Sequence, residues 1–265
     1  MFCFNRKLDD AFEFIKTLDF DIMCLQEVPE EFATRLRTLP FFIAESNEST
    51  WEEKIKGILG TQHVSLVILS KHKMVSHRAY PVVARISKSH RADFFRWFMK
   101  YAAHWRAGEL TDRTMLSADI EVLPASGTEA AQLIRIFNVH LQLLTPEIRQ
   151  AEFQQVREHL QPPPPTIVCG DFNILDSWRI KPLNWLLSGP LTQAFPWYSE
   201  RKHIEKTFRE SGLKNIFRKV VTHRISNSQL DHILVPLDTE VLDRHVVKKT
   251  RGSDHRPIIT TIKLS

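Results

Sequence analysis

The sequence predicts an α/β (α+β) protein in which two packed, mixed β-sheets are flanked by helices. Three observations lead there. Strand-like apolar runs recur from one end of the chain to the other, and helical periodicity is confined to a few segments between them. No Gly/Ser-rich linker and no internal repeat divides the 265 residues, so one domain spanning 1–265 is expected.

Each element has its own reason. Leu8 to Leu18 carries apolar residues at 8, 11, 12, 14, 15 and 18, the spacing of an amphipathic helix. "FDIMCLQEV" (20–28), "VSLVILS" (64–70) and "HRAYPVVAR" (77–85) are apolar runs of strand length. "MLSADIEVL" (115–123) alternates Leu116, Ala118, Ile120 and Val122 with polar positions, the period-two pattern of a half-buried strand. "LIRIFNVHL" (133–141) follows. Thr145-Pro146-Glu147 has the form of a helix start, with an N-cap and then proline at the first helical position. Four prolines, Pro162 to Pro165, end that helix as a stiff connector and restart the chain as the strand "TIVCGDF" (166–172). "QLDHILV" (229–235) and "PIITTIKL" (257–264) complete the strands.

Composition sets bounds on function. A hydrophobic fraction of 43% with 25% charged residues is enough for a sizeable core. No apolar run approaches the ~18 residues of a membrane span. "MFCFNRKLDD" turns polar too early for a signal peptide, so a cytoplasmic protein is expected. Cys3, Cys24 and Cys169 lack the spacing of a disulfide framework and fit reduced, buried thiols. The net charge of +5 favours an anionic partner. Basic residues concentrate between Arg201 and Arg224 and again at Arg244, Lys248, Lys249, Arg251 and Arg256.

Several apolar runs end or begin with an acid, an amide or a histidine. "IMCLQE" delivers Glu27, "IRIFNVH" delivers Asn138 and His140, and "TIVCGDFN" delivers Asp171 and Asn173. "SQLDHILV" places Asp231 at a strand start, and "GSDHRPI" places Asp254 and His255 just before the last strand. Polar groups at strand mouths are how a rigid sheet presents a site. Gly170 would allow close backbone approach beside Asp171. The set consists of hard oxygen donors and histidines, which suits Mg²⁺. It lacks the thiolate and imidazole spacing of a zinc site and the GxSxG elbow of a serine hydrolase. Metal-assisted phosphoester hydrolysis fits all its parts.

Taken in order, "LQEV", "NVHL", "GDFN", "LDHI" and "SDHRP" resemble the endonuclease/exonuclease/phosphatase superfamily, the deoxyribonuclease I-like fold, from Asn5 to the C-terminus. The resemblance implies a four-layered sandwich, two sheets between outer helices, with the site at one end of the sheets. It implies Glu27 as the principal carboxylate for a Mg²⁺ ion, with Mn²⁺ as a substitute, and Asn5 and Asp254 beside it. It further implies that Asp171 positions or deprotonates the attacking water and that Asn173 holds the water or the phosphate. His255 contacts the scissile phosphate or acts as acid or base, Asp231 orients its imidazole, and His140 donates to a phosphate oxygen. Family members carry a longer first strand ahead of the asparagine than the "MFCF" found here. "GDFN", in place of "GDLN" or "GDMN", sets the chain apart from the apurinic-site endonuclease branch.

The substrate has to be argued from variable segments. In "HRADFFRWFMKYAAHWRAGEL" (90–110), Phe94, Phe95, Trp97, Phe98, Tyr101 and Trp105 share one helical face, flanked by Arg91, Arg96, Lys100 and Arg106. Packing against a sheet is the expected use of such a face. Contact with anionic lipid and stacking on nucleotides are the alternatives. The expected function is a monomeric, Mg²⁺-dependent phosphodiesterase acting on DNA or RNA, with no obligate protein partner. A phospholipid or inositol phosphate phosphodiesterase is the alternative, and a non-catalytic binding module is the third reading.

Overall fold

The computed structural model describes residues 7–51, 62–84, 113–123, 130–143, 145–186, 190–195 and 197–264. Asn5, Cys3 and the aromatic segment 90–110 lie outside the described residues. The elements run in the order α1 (Leu8–Thr17), β1 (Ile22–Pro29), α2 (Glu30–Leu36), β2 (Phe42–Trp51), β3 (Gln62–Ser70), β4 (Lys73–Val82), β5 (Arg113–Val122) and β6 (Gln132–His140). They continue with α3 (Pro146–Glu158), β7 (Thr166–Asp171), α4 (Lys181–Leu186), α5 (Glu200–Glu210), β8 (Leu213–Asn215), β9 (Asp231–Pro236), β10 (Glu240–Val246) and β11 (Ile258–Lys263).

Four layers result. A six-stranded sheet in the order β4-β5-β6-β7-β9-β8 is mixed, with β6 and β7 its one parallel pair among the described residues. The facing layer consists of a three-stranded antiparallel sheet, β1-β3-β2, and the antiparallel pair β10-β11. Between the two layers lies an aliphatic core that includes Leu66 and Ile68 from β3, Leu116 and Ile120 from β5, and Ile136 from β6. The outer face of the six-stranded sheet is covered by α3 and α5, whose Phe153 and Phe208 pack edge-to-face at 4.9 Å and meet Phe172. The outer face of the three-stranded sheet is covered by α1 and α2 through Ile15, Phe32 and Leu36. This is the sandwich that the sequence motifs imply.

Local sequence accounts for the boundaries. Proline follows Thr145 at the start of α3 as expected, but the threonine side chain makes no capping hydrogen bond. Ser199 does cap α5, accepting from the Lys202 amide. A bidentate ion pair between Arg149 of α3 and Glu200 of α5, at 2.7 Å for both contacts, ties the covering helices together and is fully buried. Cys24 of β1 and Cys169 of β7 face each other across the inter-layer core with sulfurs 3.3 Å apart, both free thiols as expected. Burial and the neighbouring sulfur hold the Cys24 thiol well above its ordinary value, hydrogen bonding to Cys169 contributing most.

Candidate active site

The site is assembled where β6, β7 and β9 end side by side. In the strand register His140 stands opposite Asp171, and Asp171 stands opposite Asp231, so three of the candidate residues form one row across three neighbouring strands. The close approach of β6 and β7 depends on Gly170. Its φ of +144° is one that side-chain-bearing residues rarely adopt, and a Cβ there would lie 1.9 Å from the Val139 carbonyl oxygen. Glycine is therefore required immediately before Asp171.

Glu27 arrives from the other layer by a different device. Between Leu25 and Val28 the pairing of β1 with β3 slips by one residue, a β-bulge that bends the strand and re-aims its side chains. Glu27 adopts φ +51° at this bulge, and Asn173 adopts φ +52° just beyond β7. Left-handed backbone is uncommon in residues other than glycine, and here it occurs at two of the residues singled out by the motifs. Asn138 of β6, wholly buried, braces the bulge from below. Its Nδ2 donates to the carbonyls of Leu25 (2.8 Å) and Val67 (3.0 Å), and its Oδ1 accepts from Gln26 Nε2 at 2.6 Å. Asn138, delivered by the same run as His140, is thus a brace between the two layers.

Asp254 and His255 come from the loop between β10 and β11. Gly252 shapes this loop with φ +80°, its α-carbon packed where a Cβ would meet the Lys7 carbonyl oxygen at 2.3 Å. The Ser253 hydroxyl accepts from the His255 amide at 3.1 Å, and the Arg256 amide donates to the Thr222 carbonyl at 2.8 Å. His255 Nδ1 then meets Asp231 Oδ2 at 2.8 Å. Asp231 is held in turn by Thr222, whose hydroxyl accepts from the Leu230 and Asp231 amides at 2.9 and 3.2 Å.

The electrostatics follow from these contacts. Burial alone would depress the His255 imidazole, but Asp231, together with Asp171 and Asp254, outweighs it and raises the pKa to about 10. Asp231 is likewise opposed by burial, yet the charge and hydrogen bond of His255 hold it below its ordinary value. Asp171 shows the reverse balance. Burial raises it, and nearby Asp231 adds to that, against the lowering influence of His255 and His140. One carboxylate is therefore kept ionised beside a protonated imidazole while its neighbour is made more basic, the separation of roles that acid–base chemistry needs.

His140 is buried. Its Nε2 lies 3.7 Å from Asp171 Oδ2, and its Nδ1 lies 3.5 Å from Arg113 Nη1. The Asn173 amide N–H donates to Asp171 Oδ1 at 2.8 Å, and its side-chain nitrogen donates to the Leu141 carbonyl at 2.8 Å. Both contacts fix the turn that follows β7. His232, in the "LDHI" motif, points the other way, into the core against Phe172 and Phe208. Burial, with the charge of Arg201, pushes it down to about 3, and its Nδ1 accepts from Asn215 and Gln229 amides.

Glu27, His140, Asp171, Asp231, Asp254 and His255 all line one cleft of about 480 Å³. One wall is β1, the other is β11, and the floor is Ile134, Ile136, Ile167 and Cys169 of the six-stranded sheet. Glu27, Asp171, Asp231 and Asp254 line this one cleft, and hard oxygen donors of this type suit a divalent cation that retains several waters. Sequence reasoning missed His223, Thr222 and Arg113, which the fold brings to this site. His223 lies in a polar loop with no motif around it, and Arg113 precedes the apolar alternation that begins at Met115.

A model of the endonuclease/exonuclease/phosphatase family matches residues 3–255. No curated protein matches the sequence. Among solved structures, an endonuclease/exonuclease/phosphatase from Beutenbergia cavernae superposes with a TM-score of 0.63 at 16% identity, covering 98% of this chain and 66% of that one. A family protein from Leptotrichia buccalis gives 0.59 at 15% identity, covering 97% and 93%. A 3′ phosphatase from Neisseria bound to a product DNA hairpin gives 0.59 at 15% identity, covering 98% and 95%. At these identities the structural likeness shows a shared fold.

Proposed function

The chain belongs to the endonuclease/exonuclease/phosphatase family, whose members are hydrolytic phosphoesterases that generally depend on a divalent metal, and we propose that it is a Mg²⁺-dependent phosphodiester hydrolase acting on nucleic acid. The observation that carries this reading is the His255–Asp231 pair at 2.8 Å beside buried Asp171, in a cleft that Glu27 and Asp254 also line. Glu27 and Asp254, with Asn5 as a further donor, would hold the ion. When bound, it would polarise the phosphoryl oxygens and offset charge developing on them.

The chain's own residues do the rest. Asp171, made more basic by burial, takes a proton from the attacking water as the new P–O bond forms. His255, charged at neutral pH, gives the proton at Nε2 to the departing oxygen as the old bond breaks. Asp231 fixes the ring by its contact at Nδ1. Asn173 stiffens the turn that presents Asp171, and His140 contributes an N–H toward that carboxylate or a phosphate oxygen.

Three features support nucleic acid as the substrate. Lys248, Lys249 and Arg251 are exposed on the loop that carries Asp254 and His255, placed to follow a phosphate backbone. Exposed aromatics lie on the segments that follow the Asp171–Asn173 turn: Trp178, and the stacked pair Phe195 and Trp197 at 4.4 Å, suited to carry bases. A protein of the same fold, from Neisseria, is described as a 3′ phosphatase with product DNA. By contrast, α5 contributes less of its positive charge than its sequence suggests, because Arg201 contacts Asp176 and Gln229 and Lys206 pairs with Glu210.

The test is hydrolysis of single- and double-stranded DNA, RNA, phospholipid and inositol phosphate, each with Mg²⁺, Mn²⁺ or EDTA. Metal-dependent cleavage of a nucleic acid, lost in Asp171→Asn and His255→Ala, is the expected result. Cleavage confined to lipid or inositol phosphate would overturn the substrate class.

A further inference from the structure

We propose that His223, Asp254 and His255 form a binding site for Zn²⁺, which shares Asp254 with the hard-cation position at Glu27. One ligand atom from each of the three residues lies within 4.8 Å of the others. His223 Nε2 stands 3.9 Å from Asp254 Oδ2, and the two imidazole rings are 4.9 Å apart between centroids. Backbone pairing of His223 with His255 fixes their relative position. Ligand atoms around tetrahedral zinc are about 3.3 Å apart for bonds near 2.0 Å, so the cluster has to close by about 0.5–1.5 Å.

The surroundings are those of a built metal site. A zinc-ligating histidine ordinarily donates its second ring N–H to a carboxylate, carbonyl or hydroxyl. His255 does this to Asp231 at 2.8 Å, and His223 has the Ser226 hydroxyl at 2.8 Å from Nδ1. The Ser226 amide also donates to that nitrogen, at the longer distance of 3.3 Å. With each Nδ1 engaged, Nε2 is the ring atom left for a metal, which has to displace the proton that His255 holds there. The His223 turn is itself rigid, closed by reciprocal backbone hydrogen bonds with Ser228 at 3.1 and 3.3 Å. Two imidazoles and one carboxylate suit zinc better than magnesium and leave one position for water.

Zinc at this site would take the His255 Nε2 and the Asp254 carboxylate that the proposed reaction uses. It would therefore inhibit Mg²⁺-supported hydrolysis, a consequence that rests on the functional reading above. The binding claim does not, because it is measured without substrate. Calorimetric titration of the full chain with Zn²⁺ in excess Mg²⁺ should give one site. His223→Ala and His223→Gln should each weaken it at least about tenfold, and Ser226→Ala by a smaller factor. Glu27→Gln should bind zinc as the wild type does. So should Cys24→Ser, which removes the other pair of zinc-seeking groups. Co²⁺ in the site should show nitrogen and oxygen ligation without thiolate charge-transfer absorption. Undiminished binding in both folded His223 variants, or loss of binding in Glu27→Gln or Cys24→Ser, would overturn the assignment.

Discussion

Replacing Asp231 with asparagine removes the charge that keeps His255 protonated while nearly preserving the side chain's shape. In the wild type, burial opposes the imidazolium, yet Asp231 at 2.8 Å leads the other carboxylates in raising its pKa from 6.5 to about 10. That rise corresponds to about 5 kcal/mol of preference for the charged ring. The linkage has a definite sign. A raised folded-state pKa contributes stability that is fully present below 6.5 and is lost as pH rises through about 10. In Asp231→Asn burial is no longer opposed by the nearest charge, so the pKa should fall to 6.5 or lower. At pH 7.5 the protonated fraction then drops from near unity to about a tenth or less. If His255 supplies the proton, kcat/KM at that pH should fall at least tenfold, and the alkaline limb should move from near 10 to below 7. A pH–rate profile on a labelled oligonucleotide, paired with NMR titration of the His255 ring in metal-free protein, measures both quantities. An alkaline limb that stays put in the variant, with the ring pKa lowered, would refute the assignment of His255 as the acid.

Two further predictions concern the supports of the site. Asn138→Ala removes three hydrogen bonds beneath the β1 bulge and leaves the Leu25 and Val67 carbonyls buried without a partner there. A loss of about 2–4 kcal/mol in urea denaturation is expected, with activity falling further than stability alone explains, because Glu27 stands on that bulge. Glu200→Gln breaks the buried Arg149 pair and should cost about 3–5 kcal/mol, whereas Arg149→Met combined with Glu200→Leu should recover most of it. Thermal and denaturant melts of the three variants decide this.

The motif residues were legible because each closes or opens an apolar run whose period already names it a strand. Gly170 was legible too, since a glycine before a polar pair at a strand end implies close approach, and here a Cβ would strike Val139. What escaped has physical causes. β10 (Glu240–Val246) lies largely exposed on a two-stranded sheet, so its sequence lacks an apolar face. β2 (Phe42–Trp51) has a polar second half, "NESTW", that gives no strand signal. α5 (Glu200–Glu210) was obscured by its charge, its buried face being little more than Ile204 and Phe208. His223 reaches the site only through the β-bridge to His255, a long-range contact that no local pattern encodes. Nor does the motif order distinguish His232, neutral in the core, from its neighbour Asp231. Alternation along a strand sends the two to opposite sides.

The central claim is that Glu27, re-aimed by the bulge in β1, holds the divalent ion the reaction needs. The most direct measurement is the Mg²⁺ dependence of oligonucleotide cleavage by the wild type and by Glu27→Gln, with zinc excluded by a selective chelator. The account predicts saturable dependence in the wild type, silence in EDTA, and a loss of at least about 100-fold in the variant at the same Mg²⁺. Cleavage that persists in EDTA, or a Glu27→Gln enzyme with an unchanged Mg²⁺ response, would contradict it.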